Sequence, residues 1–301
     1  MTGERRGGVP RAMTIAGSDS GAGAGIQADL KTFAAFGVFG TSAITAITAQ
    51  NTLGVTAVQE IDLPIIEAQI DAVMSDIGTD AVKVGMLASA EIVDLVALKL
   101  REYGLTKVVV DPVMVATSGD RLLQESAVES LRSLLIPLAT VVTPNLDEVR
   151  ALTGRRVESL DDMKEAARQI HGLGAQNVLV KGGHFAEELA GVLDGKPERR
   201  MLDVLYDGDS FTVFSDEMVE TTSTHGTGCT LSSAIAAGLA HGRPVPEAIG
   251  DAKAYLTDAL RHAFPIGAGH GPVNHLFGWW AEGGADGKGG STHSVARQAS
   301  N

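Results

Sequence analysis

Thr224-His225-Gly226-Thr227-Gly228-Cys229-Thr230-Leu231 sets two glycines and a single cysteine directly before a run of small residues, Ser232 to Leu239. Glycine lets a backbone turn tightly and approach a ligand, and the first N–H groups of a helix have no intrahelical partner, so such an end attracts an anion. An ordinary loop before a packed helix also accounts for the string taken alone. Cys229 adds chemistry, because a helix N-terminus lowers a thiol's pKa and lets it accept a proton, whereas a cysteine elsewhere is usually a small buried hydrophobe. Asp111 closes one apolar run, and Glu148 follows the next in Thr143-Pro144-Asn145-Leu146-Asp147-Glu148. Carboxylates at adjacent strand ends share a crevice, where Asp111 and Glu148 could hold Mg²⁺ directly or through water. The alternative is that Asn145 or Asp147 caps the following helix and Glu148 supports its dipole. Lys181 ends a third run before Gly182-Gly183-His184 and meets either phosphate charge or solvent.

A further loop, residues 16–29, leaves an apolar run and enters a helical pattern, the place where α/β proteins bind ligands. Its glycines are not a dinucleotide fingerprint, because Ile26 stands where a third glycine belongs after Gly21 and Gly23. The chain also has no GxxxxGK[ST] string, so any nucleotide is bound without a P-loop.

These residues must be positioned by the elements between them. Short Val- and Ile-rich runs predict strands at residues 13–16, 43–48, 81–85, 107–111, 140–143 and 177–181. Apolar residues three and four apart predict helices over 26–36, 64–75, 90–103, 125–135 and 160–173. Such alternation implies an α/β fold, a mostly parallel sheet with helices on both faces. Residues 193–220 combine a charged turn at 196–200 with the alternation of Phe211, Val213 and Phe214, which predicts a late antiparallel hairpin at a nucleotide-facing sheet edge. One domain is expected over residues 11–280, with residues 1–10 and the Gly- and Ser-rich stretch 281–301 disordered.

The chain's 301 residues, 44% of them hydrophobic, suffice for a sizeable core. A net charge of -13 opposes binding to a polyphosphate backbone, so nucleic acid is not an expected partner. One cysteine excludes an intramolecular disulfide and fits a reducing, cytoplasmic compartment. The two N-terminal arginines precede no apolar run of signal-peptide length, and no stretch reaches the ~20 apolar residues of a membrane span. A soluble protein is expected.

Taken together, residues 16–32, 47–55, 83–87, 108–114, 143–148, 180–184 and 224–232 resemble the bacterial hydroxymethylpyrimidine/phosphomethylpyrimidine kinases of thiamine biosynthesis. Residues 269–280 resemble that family's C-terminal end, so the likeness runs from 13 to 280 with its motifs in order. The resemblance implies a ribokinase-like fold, ATP as donor, Mg²⁺, and transfer first onto a pyrimidine hydroxymethyl and then onto the monophosphate. It implies Gln50 and Asp29 toward the pyrimidine, with Gly17, Met86 and Val113 lining its pocket. Asp111 and Glu148 would face Mg²⁺, and Asn145 and Lys181 the nucleotide phosphates. Cys229 would be the base, and Gly226, Thr227 and Gly228 the anion hole. Relatives also imply a homodimer. Ala22 departs from the family's usual glycine, and its methyl narrows the backbone conformations open to the loop. A pyridoxal or pyridoxine kinase of the same fold is the nearest alternative, followed by a catalytically silent sensor using the same pocket and by a nicotinamide-dependent oxidoreductase.

Overall fold

β-Branched runs flanked by helical patterns fold as strands covered on two faces, because the branched side chain packs well on a pleated, buried surface. The computed structural model describes residues 8–114, 124, 126–183 and 200–280. Its strands are β1 (Arg11–Asp19), β2 (Phe39–Asn51), β3 (Gly54–Glu60), β4 (Ala81–Val84), β5 (Val108–Val110), β6 (Val141–Val142), β7 (Val178–Lys181), β8 (Arg200–Tyr206) and β9 (Phe211–Glu217). The helices are α1 (Gly25–Ala35), α2 (Leu63–Asp76), α3 (Ala90–Glu102), α4 (Ala127–Ser130), α5 (Leu146–Thr153), α6 (Leu160–His171), α7 (Thr227–Ala240), α8 (Val245–Arg261) and α9 (Phe277–Trp280).

The strands form one sheet in the order β3-β2-β1-β4-β5-β6-β7-β8-β9. β1 pairs in parallel with β2 on one side and β4 on the other, and the parallel pairing continues through β7. Antiparallel β3 closes one edge, and antiparallel β8 and β9 close the other. The expected α/β class and mostly parallel sheet are therefore present. Chain order reverses between β1 and β4, and the loops beyond the carboxyl ends of strands at such a switch point form a crevice.

Two cores flank the sheet. Ile66, Val93, Leu100, Val149 and Met163 from α2, α3, α5 and α6 pack on one face. Phe33, Leu231, Ile235 and Ile249 from α1, α7 and α8 pack on the other. α7 is buried continuously from Thr230 to Ala240, which its Ala, Ser and Gly content permits by keeping neighbouring elements close.

Some local expectations are corrected. The helix predicted over 125–135 begins as α4 and widens into a π-type turn over Leu131–Leu135, and a short 3₁₀ turn containing Pro137 follows. Proline lacks the N–H that would continue the helical ladder. The late hairpin is β8–β9, but its turn is Asp207 to Ser210, where Asp207 Oδ1 accepts from the N–H groups of Asp209 and Ser210. The charged stretch 196–199 and His184 lie outside the described residues, as do residues 1–7 and 281–301. Pro10, within the first ten, is tied to the sheet through its carbonyl, which accepts from the Phe39 N–H.

Candidate active site

The carboxyl ends of β1, β4, β5 and β7 and the start of α7 open onto one cavity of about 1190 Å³. Gly17, Gln50, Met86, Val113, Asp111, Asn145, Glu148, Lys181 and residues 226–229 all line it. Residues scattered over some 210 positions of sequence therefore share one crevice.

Around Asp111 and Lys181 the cavity wall is charged and largely buried. Lys181 Nζ donates to Asp111 Oδ1 at 3.0 Å, and the Thr143 hydroxyl donates to the same oxygen at 3.0 Å. Ser232 Oγ donates to Asp111 Oδ2 at 3.3 Å. Burial raises the Asp111 carboxyl's pKa, but the Lys181 and Lys83 ammonium groups more than reverse this and hold it below the usual carboxylate range. The same reciprocity raises Lys181 despite its burial.

Asn145 and Glu148 form a reciprocal N-terminal cap on α5: Asn145 Oδ1 accepts from the Glu148 N–H at 2.9 Å, and Glu148 Oε2 accepts from the Asn145 N–H at 2.8 Å. Both residues also line the cavity, so the capping alternative and the site position coexist in one pair. Burial pushes the Glu148 carboxyl up to about 7, aided by the Asp111 charge and opposed by Lys181. A carboxylate disfavoured partly by a neighbouring carboxylate fits a divalent cation, which would relieve both. Asp111 and Glu148 are the residues that would hold one.

α7 opens on Gly226, whose φ of 80° is left-handed and whose Cα packs on the Gly23 carbonyl, so a side chain is excluded on both counts. Its N-cap, being a glycine, supplies no side-chain cap. Its first turn passes close by the ion pair, since a Cβ on Gly228 would lie 3.3 Å from Lys181 Nζ and 3.4 Å from Asp111 Oδ2.

Cys229 sits on the cavity wall within that turn. The expected lowering of its pKa is corrected: burial pushes the thiol up to about 11, although Lys83 and the Gly25 N–H act in the opposite direction. Desolvation disfavours a thiolate more than the helix end favours it.

Asp29 is the second correction. It is 0% exposed and is not part of the cavity wall. Lys83 Nζ lies 2.9 Å from both of its oxygens, the Thr14 hydroxyl donates to Oδ2 and the Ser233 hydroxyl to Oδ1. An aspartate facing inward from α1 satisfies its charge against a lysine on β4, so in this structure its oxygens are engaged by internal partners beneath the cavity wall. Lys83, also 0% exposed, does border the cavity.

The cavity wall around Gly17 and Gln50 is built differently. Gly17 leaves room for Met86, whose sulfur would be 2.9 Å from a Cβ at residue 17. Gln50 near the end of β2 is held at its backbone, with Ser20 Oγ donating to its carbonyl at 2.6 Å and its N–H donating to Ser20 Oγ at 2.8 Å. Asp19 accepts from the N–H groups of Gly21, Gly23 and Ala24 and from His225 Nε2 at 2.8 Å. Burial opposes its ionised form, but these hydrogen bonds, His225 first, hold its pKa below the usual range. Ala22 adopts φ 60°, the left-handed conformation that glycine takes more easily, and Lys31 Nζ donates to its carbonyl at 2.6 Å.

Sequence reasoning missed Asp19, Lys83 and His225 as individual residues. The signal for Lys83 was present: a lysine inside the apolar run Ala81–Val84 must find a buried anion.

Residues 19–274 match the family model described as phosphomethylpyrimidine kinase. A hydroxymethylpyrimidine/phosphomethylpyrimidine kinase of Rhizobium meliloti is 52% identical over 276 residues, 90% of this chain and 98% of that protein. A thiamine biosynthesis bifunctional protein of Geobacter sulfurreducens is 51% identical, and this chain spans about half its length, 54%. Among solved structures, a phosphomethylpyrimidine kinase of Clostridium difficile is 46% identical with a TM-score of 0.71, over 83% of this chain and 99% of that one. An ADP complex of Bacillus subtilis pyridoxal kinase is 43% identical with a TM-score of 0.79, over 89% and 98% of the two chains.

Proposed function

Because this chain belongs to the phosphomethylpyrimidine kinase family, we infer that it transfers phosphate from ATP to 4-amino-5-hydroxymethyl-2-methylpyrimidine and then to the monophosphate, in thiamine biosynthesis. The observation that carries this reading is that residues 19–274 match the family throughout, while Gln50, Lys181 and Cys229 line one cavity. In the first step the pyrimidine hydroxymethyl oxygen bonds to the γ-phosphorus as the bond to the β-phosphate oxygen breaks, ADP leaves, and the hydroxyl proton passes to a base. Transfer of this kind depends mainly on alignment and charge neutralisation.

Lys181 offsets triphosphate charge, and Asn145 faces the phosphates beside it. The N–H groups of Gly226, Thr227 and Gly228 face the oxygens of the transferring group, where fixed donors lower the barrier without reorganising. Mg²⁺ held by Asp111 and Glu148 supplies further charge neutralisation when bound. Cys229 Sγ accepts the hydroxyl proton from its thiolate fraction, which burial keeps small at neutral pH and which the Gly25 N–H and Lys83 favour. Gln50 reads the aminopyrimidine edge against a wall of Gly17, Met86 and Val113. Asp29 serves this site from beneath, through Lys83.

A single free cysteine and small metabolite substrates support a cytoplasmic location, and the family likeness supports a homodimer. Among the described residues no helix is long and apolar enough to cross a membrane. A coupled ADP-release assay offering the hydroxymethylpyrimidine, its monophosphate and pyridoxal in parallel tests the reading. Turnover of the first two at higher kcat/KM than pyridoxal is expected. Preference for pyridoxal would replace it with the alternative kinase, and no turnover of any would leave a silent sensor.

A further inference from the structure

The amide of Gln50 has neighbours that do not treat its two ends alike. His225 Nε2 lies 2.8 Å from Asp19 Oδ2 and 3.4 Å from Gln50 Nε2. Asp19 is an ionised carboxylate that only accepts, so His225 Nε2 carries hydrogen whether the ring is neutral or charged. A protonated ring nitrogen cannot accept from the Gln50 NH₂. On the other side, Thr48 Oγ1 donates its single hydrogen to the Ser18 carbonyl at 2.8 Å and lies 3.1 Å from Gln50 Oε1. With that hydrogen engaged, Thr48 can only accept from Gln50. A half-turn of the terminal amide, which exchanges its oxygen and nitrogen at almost no change in shape, lets the NH₂ donate to Thr48 Oγ1 and sets the amide oxygen against His225 Nε2, as the weaker second acceptor of the N–H that Asp19 already accepts.

We propose that His225 and Thr48 are specificity-determining residues that lock the Gln50 amide with its oxygen toward His225 and its nitrogen toward Thr48. Asp19 is a positioning residue behind them, because it keeps hydrogen on the His225 nitrogen. This rests on the kinase reading and adds to it the direction of recognition. In the locked orientation Gln50 offers its remaining acceptor position on the His225 side and its remaining N–H on the Thr48 side. A 4-aminopyrimidine edge complements this arrangement with an exocyclic N–H beside a ring-nitrogen acceptor. The corresponding 4-oxo ring, protonated at its adjacent nitrogen, presents the reverse. An unrestrained glutamine would flip and bind either edge, so discrimination requires the lock.

The lock also joins the two ends of the cavity. His225 immediately precedes Gly226 of the anion-binding turn, and its ring packs on Gly23 of the first loop.

The test compares kcat/KM for 4-amino-5-hydroxymethyl-2-methylpyrimidine with that for its 4-oxo counterpart at saturating ATP, in wild type, His225→Phe and Thr48→Val. Wild type should favour the amino ring by roughly 10²-fold, the scale expected when two hydrogen bonds are reversed in a desolvated site. His225→Phe keeps an aromatic ring against Gly23 but removes the N–H, and should narrow that ratio to about tenfold or less while the ATP KM changes less than about twofold. Thr48→Val should narrow it as well, and decides the matter if circular dichroism shows His225→Phe unfolded. Equal losses for both rings, or an unchanged ratio in both folded variants, overturns the proposal and leaves His225 a packing residue. Failure of the wild type to phosphorylate either ring overturns the kinase reading and this inference with it.

Discussion

The two ends of the cavity solve different problems with different materials. At the proposed acceptor end, Gly17, Ser18, Thr48 and Gln50 present backbone groups and neutral side chains, and the charged Asp19 is engaged in holding its loop and His225. At the proposed phosphate end, Asp111, Glu148, Lys181 and Lys83 crowd ionisable groups together: burial raises the pKa of Glu148, whereas opposite charges override burial to lower Asp111 and raise Lys181 and Lys83. Neutral hydrogen bonds discriminate between similar rings because an unmatched donor or acceptor is left unsatisfied. Buried charges discriminate poorly between organic rings but respond strongly to incoming phosphate and cation charge. Specificity and chemistry can therefore be damaged separately.

The largest separation is expected at Cys229. Cys229→Ala should lower kcat by ~10²–10⁴ while ATP binding by calorimetry stays near wild type, because the anion hole beside it is backbone. A near wild-type kcat would remove Cys229 from the base role. Its thiol is pushed up to about 11, so the thiolate fraction grows as pH rises toward that value. Alkylation by iodoacetamide should therefore be slow at neutral pH and accelerate about tenfold per pH unit on the alkaline side. Substrate should protect against it.

Gln50→Ala sharpens the comparison from the other end. The pyrimidine KM should rise by about 10- to 100-fold and the ATP KM by less than about twofold, since the amide's partners are the ring edge, Thr48 and His225 rather than the nucleotide. Equal effects on both constants would dissolve the distinction between the two ends.

A smaller effect is expected at Glu148. Glu148→Gln should raise the Mg²⁺ concentration for half-maximal rate by roughly tenfold, because an amide holds a hydrated cation less firmly than a carboxylate. Protons compete with the cation below a pKa of about 7, so wild-type Mg²⁺ affinity should increase as pH rises through that value. The variant should lose this dependence, and a pH-independent wild type would return Glu148 to a capping role only.

The smallest effect concerns the loop itself. Ala22→Gly relieves a left-handed alanine and should raise stability by about 0.5–1 kcal/mol, or Tm by about 1–3 °C, read by thermal unfolding. The buried ion pair Asp29–Lys83 should be far less tolerant, because removing either partner strands a buried charge.

Sequence periodicity was sufficient for the six strands of the parallel region and for α1, α2, α3 and α6, since each has a buried stripe with its own local spacing. β3 escaped because nearly all of it is exposed and no alternation marks it. α8 escaped although Ala248, Ile249 and Ala252 form a buried face. The motif set itself, from the loop at 16–32 to the turn at 224–232, determined the family, because glycine placement and strand-end carboxylates are local requirements of one kind of site.

Only tertiary structure decided what those residues do to one another. Asp29 meets Lys83 across 54 positions and Asp19 meets His225 across 206, and no local spacing announces either pair. Whether Asp29 faces a ligand or the core, whether Cys229 is acidified or suppressed, and which way Gln50 points all depend on desolvation and on partners brought from other elements. Electrostatic and hydrogen-bond environments act through space, whereas helical and strand periodicity act along the chain.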